Sequence, residues 1–412
     1  MKKSIFTILS CALLAAPAMM AEEAVANEAN AAQPVAEAVA EPAAEPQCDL
    51  GDLLKKMPVK LSGYLQTGWN FVANENSSKN SSSFQAKRLR LIMDGKVSES
   101  VDFRLQIEAF NGIAGSTNGN GQKNIQVMDA FATWKICPEF KVRAGQFYTP
   151  LGYENYDISP ATLETVDFSN IVYRIACRNP YSYNFVDYGR DLGVMIIGDI
   201  DKYFHYDFAV TNGSIPCKDD NNKTKDIYAS VTIKPFKNFN VKATYNWGEY
   251  NPQALAGGTA PGFQQVEVDG KLQFVLDKNG NKIPVSKYMP MNRFVVGAWY
   301  NDPNGLDLRA EYGFMKSKKD DVKYVDEQGA YVLLGYHAGK FLPIVRWDMY
   351  KDKINETTTN NYYRILAGVT YQLFKNVKIQ LNYGHYMYSD KVKDANPARS
   401  TDQIQLMGLF KF

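Results

Sequence analysis

The sequence predicts an all-β protein, a transmembrane antiparallel β-barrel of sixteen strands with one long loop folded inward after strand five. Three observations predict it. Apolar and polar residues alternate with period two in sixteen separate runs. The connections between these runs alternate between short and long, and the last run is an amphipathic strand ending on Phe412.

The first segment lies outside that pattern. Lys2 and Lys3 precede a short apolar core, Ile5–Ala16, and Ala16-Pro17-Ala18 and Ala21 offer small-residue cleavage points. This is the make-up of an export signal, assigned to residues 1–21, with Cys11 lost alongside it. Residues 22–57 are rich in Ala, Glu and Pro and have little to bury. They are expected to form a periplasmic spacer, with one or two helical turns over 49–56 before Pro58. The barrel is assigned to residues 58–412. No later stretch reaches the roughly 18 apolar residues of a transmembrane helix.

Each strand rests on its own alternation. Val59, Leu61, Leu65, Trp69 and Phe71 share one parity, against Lys60, Ser62, Gln66 and Asn70. Val101, Phe103, Leu105 and Ile107 oppose Asp102, Arg104, Gln106 and Glu108, and Val241, Ala243, Tyr245 and Trp247 oppose Lys242, Thr244 and Asn246. Period two over about ten residues marks a strand with one apolar face and one wet face. The sixteen runs begin near residues 59, 84, 101, 125, 141, 190, 203, 226, 240, 291, 306, 329, 341, 361, 377 and 401.

Connections come in two kinds. Short ones fall at 98–100, 138–139, 200–202, 236–238, 302–305 and 374–376. Long polar ones fall at 74–83, 111–123, 149–189, 213–225, 249–290, 316–328 and 390–400. Short turns on one rim and long loops on the other is the outer-membrane barrel plan, with both ends of the barrel chain on the short-turn side. A soluble β-sandwich also alternates, but rarely runs to sixteen strands in one unit. Eighteen strands is the alternative. Val266, Val268, Leu272, Phe274 and Leu276 alternate around Asp269-Gly270, a hairpin signal that either joins the wall or stays in its loop.

In the last strand, Ile404, Leu406, Phe410 and Phe412 face away from Gln403, Gln405 and Lys411. A C-terminal aromatic ending such a strand resembles the recognition signal of barrel-assembly machinery, and Phe412 is expected to serve it. The strand must also close against the first, so that no open edge faces lipid. Trp69, Trp134, Trp247, Trp299 and Trp347 suit interfacial girdles.

The connection 149–189 is far longer than ordinary connections, and such loops tend to be functional. It is aromatic (Tyr153, Tyr156, Phe168, Tyr173, Tyr181, Tyr183, Phe185) and carries Arg174, Arg178, Glu154, Asp157, Glu164 and Asp167. It is expected to fold into the lumen and constrict it.

Several segments resemble one family. Phe84-Gln85-Ala86-Lys87-Arg88-Leu89-Arg90-Leu91, Gly145-Gln146-Phe147 with Pro150-Leu151-Gly152, and Arg190-Asp191-Leu192-Gly193-Val194 carry the resemblance in order. Pro343–Trp347 and the terminal strand add to it. The chain resembles the phosphate-selective porin O and P family. The resemblance implies a trimeric channel of sixteen or eighteen strands with phosphate selectivity. It also implies that Lys87 and Arg88 line the constriction. Lys in place of the first Arg weakens a bidentate grip on phosphate.

Alternation gives an independent set of pore-facing charges. Arg88, Arg90, Arg104, Arg143, Arg346 and Arg364 have the wet parity, with Lys60, Lys135, Lys141, Lys234, Lys242, Arg293, Arg309 and Lys378, against Asp94, Asp102, Glu108, Asp129, Asp307, Glu311 and Asp348. Such cations either present an anion with replacements for its hydration shell or pair with the carboxylates and stiffen the wall. Arg88, Arg90, Arg104 and Arg143 are expected to form one basic patch, with Arg174 and Arg178 opposite. Of the formal net charge of +2, residues 1–57 contribute eight acidic and four basic side chains, leaving +6 on the rest. That suits small anions weakly and gives no reason to expect nucleic acid.

The expected function is passive diffusion of small hydrophilic solutes across an outer membrane with a mild phosphate-like anion preference. The alternative is a structural or ligand-binding barrel with a closed lumen. Catalysis has no motif behind it: His205, His337 and His385 stand on three distant strands, and no cofactor or metal is expected. Four cysteines remain after export, and topology pairs Cys48 with Cys137 on the periplasmic side and Cys177 with Cys217 in successive long loops.

Overall fold

The computed structural model describes residues 59–109, 125–177, 189–213, 216–217, 224–250, 265–268, 271–276, 278–281, 289–318, 324–352, 361–388 and 399–412. Eighteen strands occur among them: β1 (Val59–Asn74), β2 (Ser81–Lys96), β3 (Val101–Glu108), β4 (Gln126–Cys137), β5 (Phe140–Tyr148), β6 (Arg190–Ile200), β7 (Phe204–Thr211), β8 (Asp226–Phe236), β9 (Phe239–Tyr250), β10 (Gln265–Val268), β11 (Lys271–Phe274), β12 (Met289–Asn301), β13 (Leu306–Lys318), β14 (Tyr324–Tyr336), β15 (Phe341–Asp352), β16 (Tyr362–Phe374), β17 (Val377–Tyr388) and β18 (Ser400–Lys411). Sixteen of them pair antiparallel into a closed barrel, β1 meeting β18, while β10 and β11 form a separate two-stranded hairpin. The hairpin signal around Asp269-Gly270 therefore stays out of the wall.

The alternation is realised almost without exception. On β15, Phe341, Val345 and Pro343 are exposed while Leu342, Ile344, Arg346, Asp348 and Tyr350 are buried. Outward side chains form the apolar surface that lipid requires, and inward ones carry the charges. Closure joins Leu65 to Phe410 and Trp69 to Leu406, and Phe412 exchanges two backbone hydrogen bonds with Gly63. The start of β1 and the end of β18 lie on the short-turn rim, with the 97–100 turn. Four tryptophans face outward as girdle residues can, but Trp299 faces inward. It is 9% exposed and stacks on Tyr153 at 3.7 Å, so its parity puts it under the long loop.

One register shift bears on the site. Gln66 pairs with Arg88 and Thr67 with Ala86, which leaves Lys87 as the extra residue of a bulge in β2. By parity Lys87 would face lipid. The bulge turns both Lys87 and Arg88 inward.

Residues 1–58, which hold the expected export signal, the spacer and Cys48, lie outside the described residues, as does Arg178. Cys137 is exposed at the end of β4, beside the short turn to β5. Cys177 and Cys217 are not bonded to each other in this structure. The long loop carries Cys177 into the lumen, buried with its sulfur 3.7 Å from Asn155 Oδ1. Cys217 is exposed over the ends of β4 and β5, its sulfur 3.4 Å from the Val127 carbonyl oxygen. Sharing a rim does not make two cysteines neighbours when one loop folds inward and the other does not.

Candidate functional site: the constriction loop and lumen wall

The loop turns inward at Gly152, whose φ is +81° and whose missing Cβ would lie 3.1 Å from Glu311 Oε1. Only glycine takes that conformation there without strain. A single turn of helix follows, α1 (Tyr153–Tyr156). Glu311, from β13, accepts hydrogen bonds from the amides of Tyr153 (2.6 Å) and Glu154 (3.1 Å) and from the Tyr331 hydroxyl (2.9 Å). A wall carboxylate thus satisfies amides that a helix start would leave unpaired. Later the loop forms a π-turn, Ile171–Ala176, laid on β13 and β14. Ile175 approaches so closely that a Cβ on Gly313 would sit 2.8 Å from its Cδ1.

Between these turns the loop crosses the lumen to the strands around the closure. The Val166 amide donates to Asn382 Oδ1 (2.7 Å) on β17, and Lys378 and Gln380 donate to the Leu163 carbonyl. Asp167 pairs with Lys87 on β2 and accepts from Gln405 Nε2 (2.7 Å) on β18 and from the Tyr173 hydroxyl (3.2 Å). Burial alone would raise the Asp167 pKa, but Lys87, with Arg364 and Arg88, outweighs it and holds the carboxyl below the ordinary range.

The other loop carboxylates follow the same pattern. Asp157 meets Lys242 (2.6 Å), Glu164 meets Arg309 (2.7 Å), and Glu154 lies 3.7 Å from Arg346. Burial pushes the Glu154 carboxyl up against the pull of Arg346. The four acidic loop residues among the described ones are therefore anchors, each held by a wall cation. The sequence shows their charges but not these partners, because each pairs with a strand far away in the chain.

The wall arginines divide into two groups. Arg90 pairs with Glu108 (3.0 Å), Arg104 with Asp94 (2.7 Å), Arg190 with Asp129 (2.5 Å), and Arg346 with Asp348 (2.9 Å). Arg346 also donates to the Asp167 and Phe168 carbonyls, so it holds the loop. Arg88 is buried, donating to Gln66 Oε1 (2.5 Å) and to the Val166 carbonyl (3.3 Å). Arg143, Arg174 and Arg364 have no carboxylate within 4.0 Å among the described residues. Arg143 lies 4.2 Å over the Phe131 ring and donates to Thr133 Oγ1.

Arg88 and Arg90 are successive inward positions of β2, and Arg104 and Arg143 both adjoin Phe131. Arg174 does not stand opposite Arg88. It packs 5.2 Å over Tyr350 of β15, five strands around the sixteen-strand wall from β2. The π-turn lies on β13 and β14, and this directs Arg174 to the nearer wall. Among the described residues no group of three His, Cys, Asp or Glu side chains could hold a metal ion.

A barrel closed at sixteen strands, with its fifth connection anchored inside, is the arrangement against which known proteins can be compared. The family model described as phosphate-selective porin O and P matches residues 59–412. The chain belongs to that family.

No curated protein matches the sequence. Among solved structures, this porin is similar to the anion-selective porin from Comamonas acidovorans, with 14% identity, 86% of this chain and 99% of that one covered, and a TM-score of 0.56. It is likewise similar to Salmonella typhi OmpF in complex with daunomycin, with 14% identity, coverage of 86% and 97%, and a TM-score of 0.58. A trimer form of OmpT from Vibrio cholerae gives 14% identity, coverage of 86% and 99%, and a TM-score of 0.55. At these identities the likeness is one of fold. Family and fold together make the chain an outer-membrane porin.

Proposed function

We propose that this porin is a passive diffusion channel for small hydrophilic solutes with a mild preference for anions such as phosphate. One observation carries the reading. The loop's four described carboxylates, Glu154, Asp157, Glu164 and Asp167, each meet a wall cation, while Arg143, Arg174 and Arg364 have no carboxylate partner among the described residues. Guanidiniums without a carboxylate partner attract anions and repel cations at short range. Transit needs weak, repeated contacts, so separate guanidiniums suit it better than one tight site. The family and the trimeric neighbour support a homotrimer in lipid. The exposed terminal Phe412 supports recognition by barrel-assembly machinery, and the N-terminal composition supports export by a signal over residues 1–21.

The test is the reversal potential of single channels in a salt gradient. Wild type is expected to favour anions, and Arg143→Gln to move the potential toward zero while conductance persists. An unchanged potential in that variant, or cation preference in wild type, removes the anion reading. The depth at which residues 163–167 are bonded across the lumen favours a second reading, a barrel plugged by its own loop. Absence of any conductance would establish that one.

A further inference from the structure

Arg174 and Arg364, two of the cations without a carboxylate, stand together with tyrosines at the long-loop end of the wall. Tyr350, Tyr362 and Tyr388 form one cross-strand row on β15, β16 and β17, and Arg364 and Tyr386 pair in the next row. Tyr362 lies 5.8 Å from Tyr350, 5.6 Å from Tyr386 and 6.1 Å from Tyr388. Arg174 lies 5.2 Å over Tyr350 and Arg364 4.8 Å over Tyr386.

Arg364 is the informative member. It is 6% exposed, and its Nε has no hydrogen-bond partner. One donor of the same guanidinium reaches Gln403 Oε1 at 3.1 Å. Its side chain lies across Gly384, where a Cβ would come within 2.6 Å of Nη2. A buried guanidinium with an unused donor is costly, and such groups are ordinarily paired. Tyr362, Tyr386, Tyr388 and Arg174 keep part of their surface exposed, whereas Tyr350 and Arg364 are buried.

We infer that this tyrosine–arginine shelf is a docking site for solutes that join a ring to a carboxylate, an aromatic acid or a sugar acid. This rests on the chain being a channel whose lumen admits solutes. A guanidinium fork meets both oxygens of a carboxylate. Tyrosine faces pack against aromatic rings or the C–H face of a sugar, and their hydroxyls supply hydrogen bonds. A bare inorganic anion uses only the guanidiniums and gains nothing from the rings. A neutral ring offers the two guanidiniums no carboxylate to bond.

Titration calorimetry on the full-length protein in detergent tests it, with 4-hydroxybenzoate, glucuronate, inorganic phosphate and benzyl alcohol as probes. At least one of the two ring acids is expected to bind ten-fold or more tightly than phosphate and than benzyl alcohol. Which one does so decides between aromatic and sugar acids. Arg364→Gln and Tyr362→Leu, each checked for folding by heat-modifiable migration, should weaken that binding at least ten-fold. Equal or weaker binding of both ring acids than of phosphate overturns the inference, as does binding that survives both substitutions. The wild-type comparison of probes stands even if a variant fails to fold. Loss of bilayer conductance would instead remove the channel reading, and calorimetry does not depend on it.

Discussion

Asp167 shows how much one loop carboxylate can hold. It bonds Lys87 on β2, Gln405 on β18 and Tyr173 in its own loop, and both it and Lys87 are largely buried. Replacing it with Asn leaves Lys87 without its counter-charge, and breaking such a buried pair costs about 3–5 kcal/mol. The pH dependence has a definite sign. Its folded pKa is lowered, so its contribution is complete above the unfolded value and is lost only as pH falls through the lowered one. At pH near 4, where an exposed Asp is roughly half protonated, the pair should persist. Asp167→Asn should therefore lower the temperature at which the folded band disappears by the same amount at pH 7 and near pH 4. A gap that closes near pH 4 would mean that Asp167 titrates as an exposed carboxylate.

The strands were the legible part of the molecule, for a physical reason. Lipid on one side and water or charge on the other impose the same alternation on every strand, so each of the sixteen announces itself separately. Starts such as those at Val101, Arg190, Asp226, Leu306, Phe341 and Val377 coincide with those read from alternation alone. Lys87 was legible only through family resemblance. Alternation assigns it to the lipid face, and the bulge that reverses this leaves no mark on the pattern. The ion pairs from Asp157, Glu164 and Asp167 were not legible, because partners in them are up to 145 residues apart. The hairpin β10–β11 is a strand pair outside the wall. Deleting residues 265–276 should leave heat-modifiable migration and single-channel conductance unchanged, and loss of the folded band would place the hairpin among the wall's supports.

At the scale of the whole molecule, the loop's partners divide by when the chain provides them. Lys87 lies 80 residues before Asp167, whereas Gln405 lies 238 residues after it. The contact with β2 involves segments made early and can form while the last strands are still unplaced. The contact with β18 waits until the cylinder shuts. A loop bonded on both sides of the final join is expected to lie inside when the last strand arrives, since the β2 contact is available before closure. This makes the loop a template for the folding route, and the two contacts should separate kinetically. Lys87→Met is expected to slow refolding into detergent micelles, followed as growth of the compact band. Gln405→Leu should leave that rate nearly unchanged and instead hasten unfolding. The opposite assignment would mean that the cylinder shuts first and the loop settles into it later.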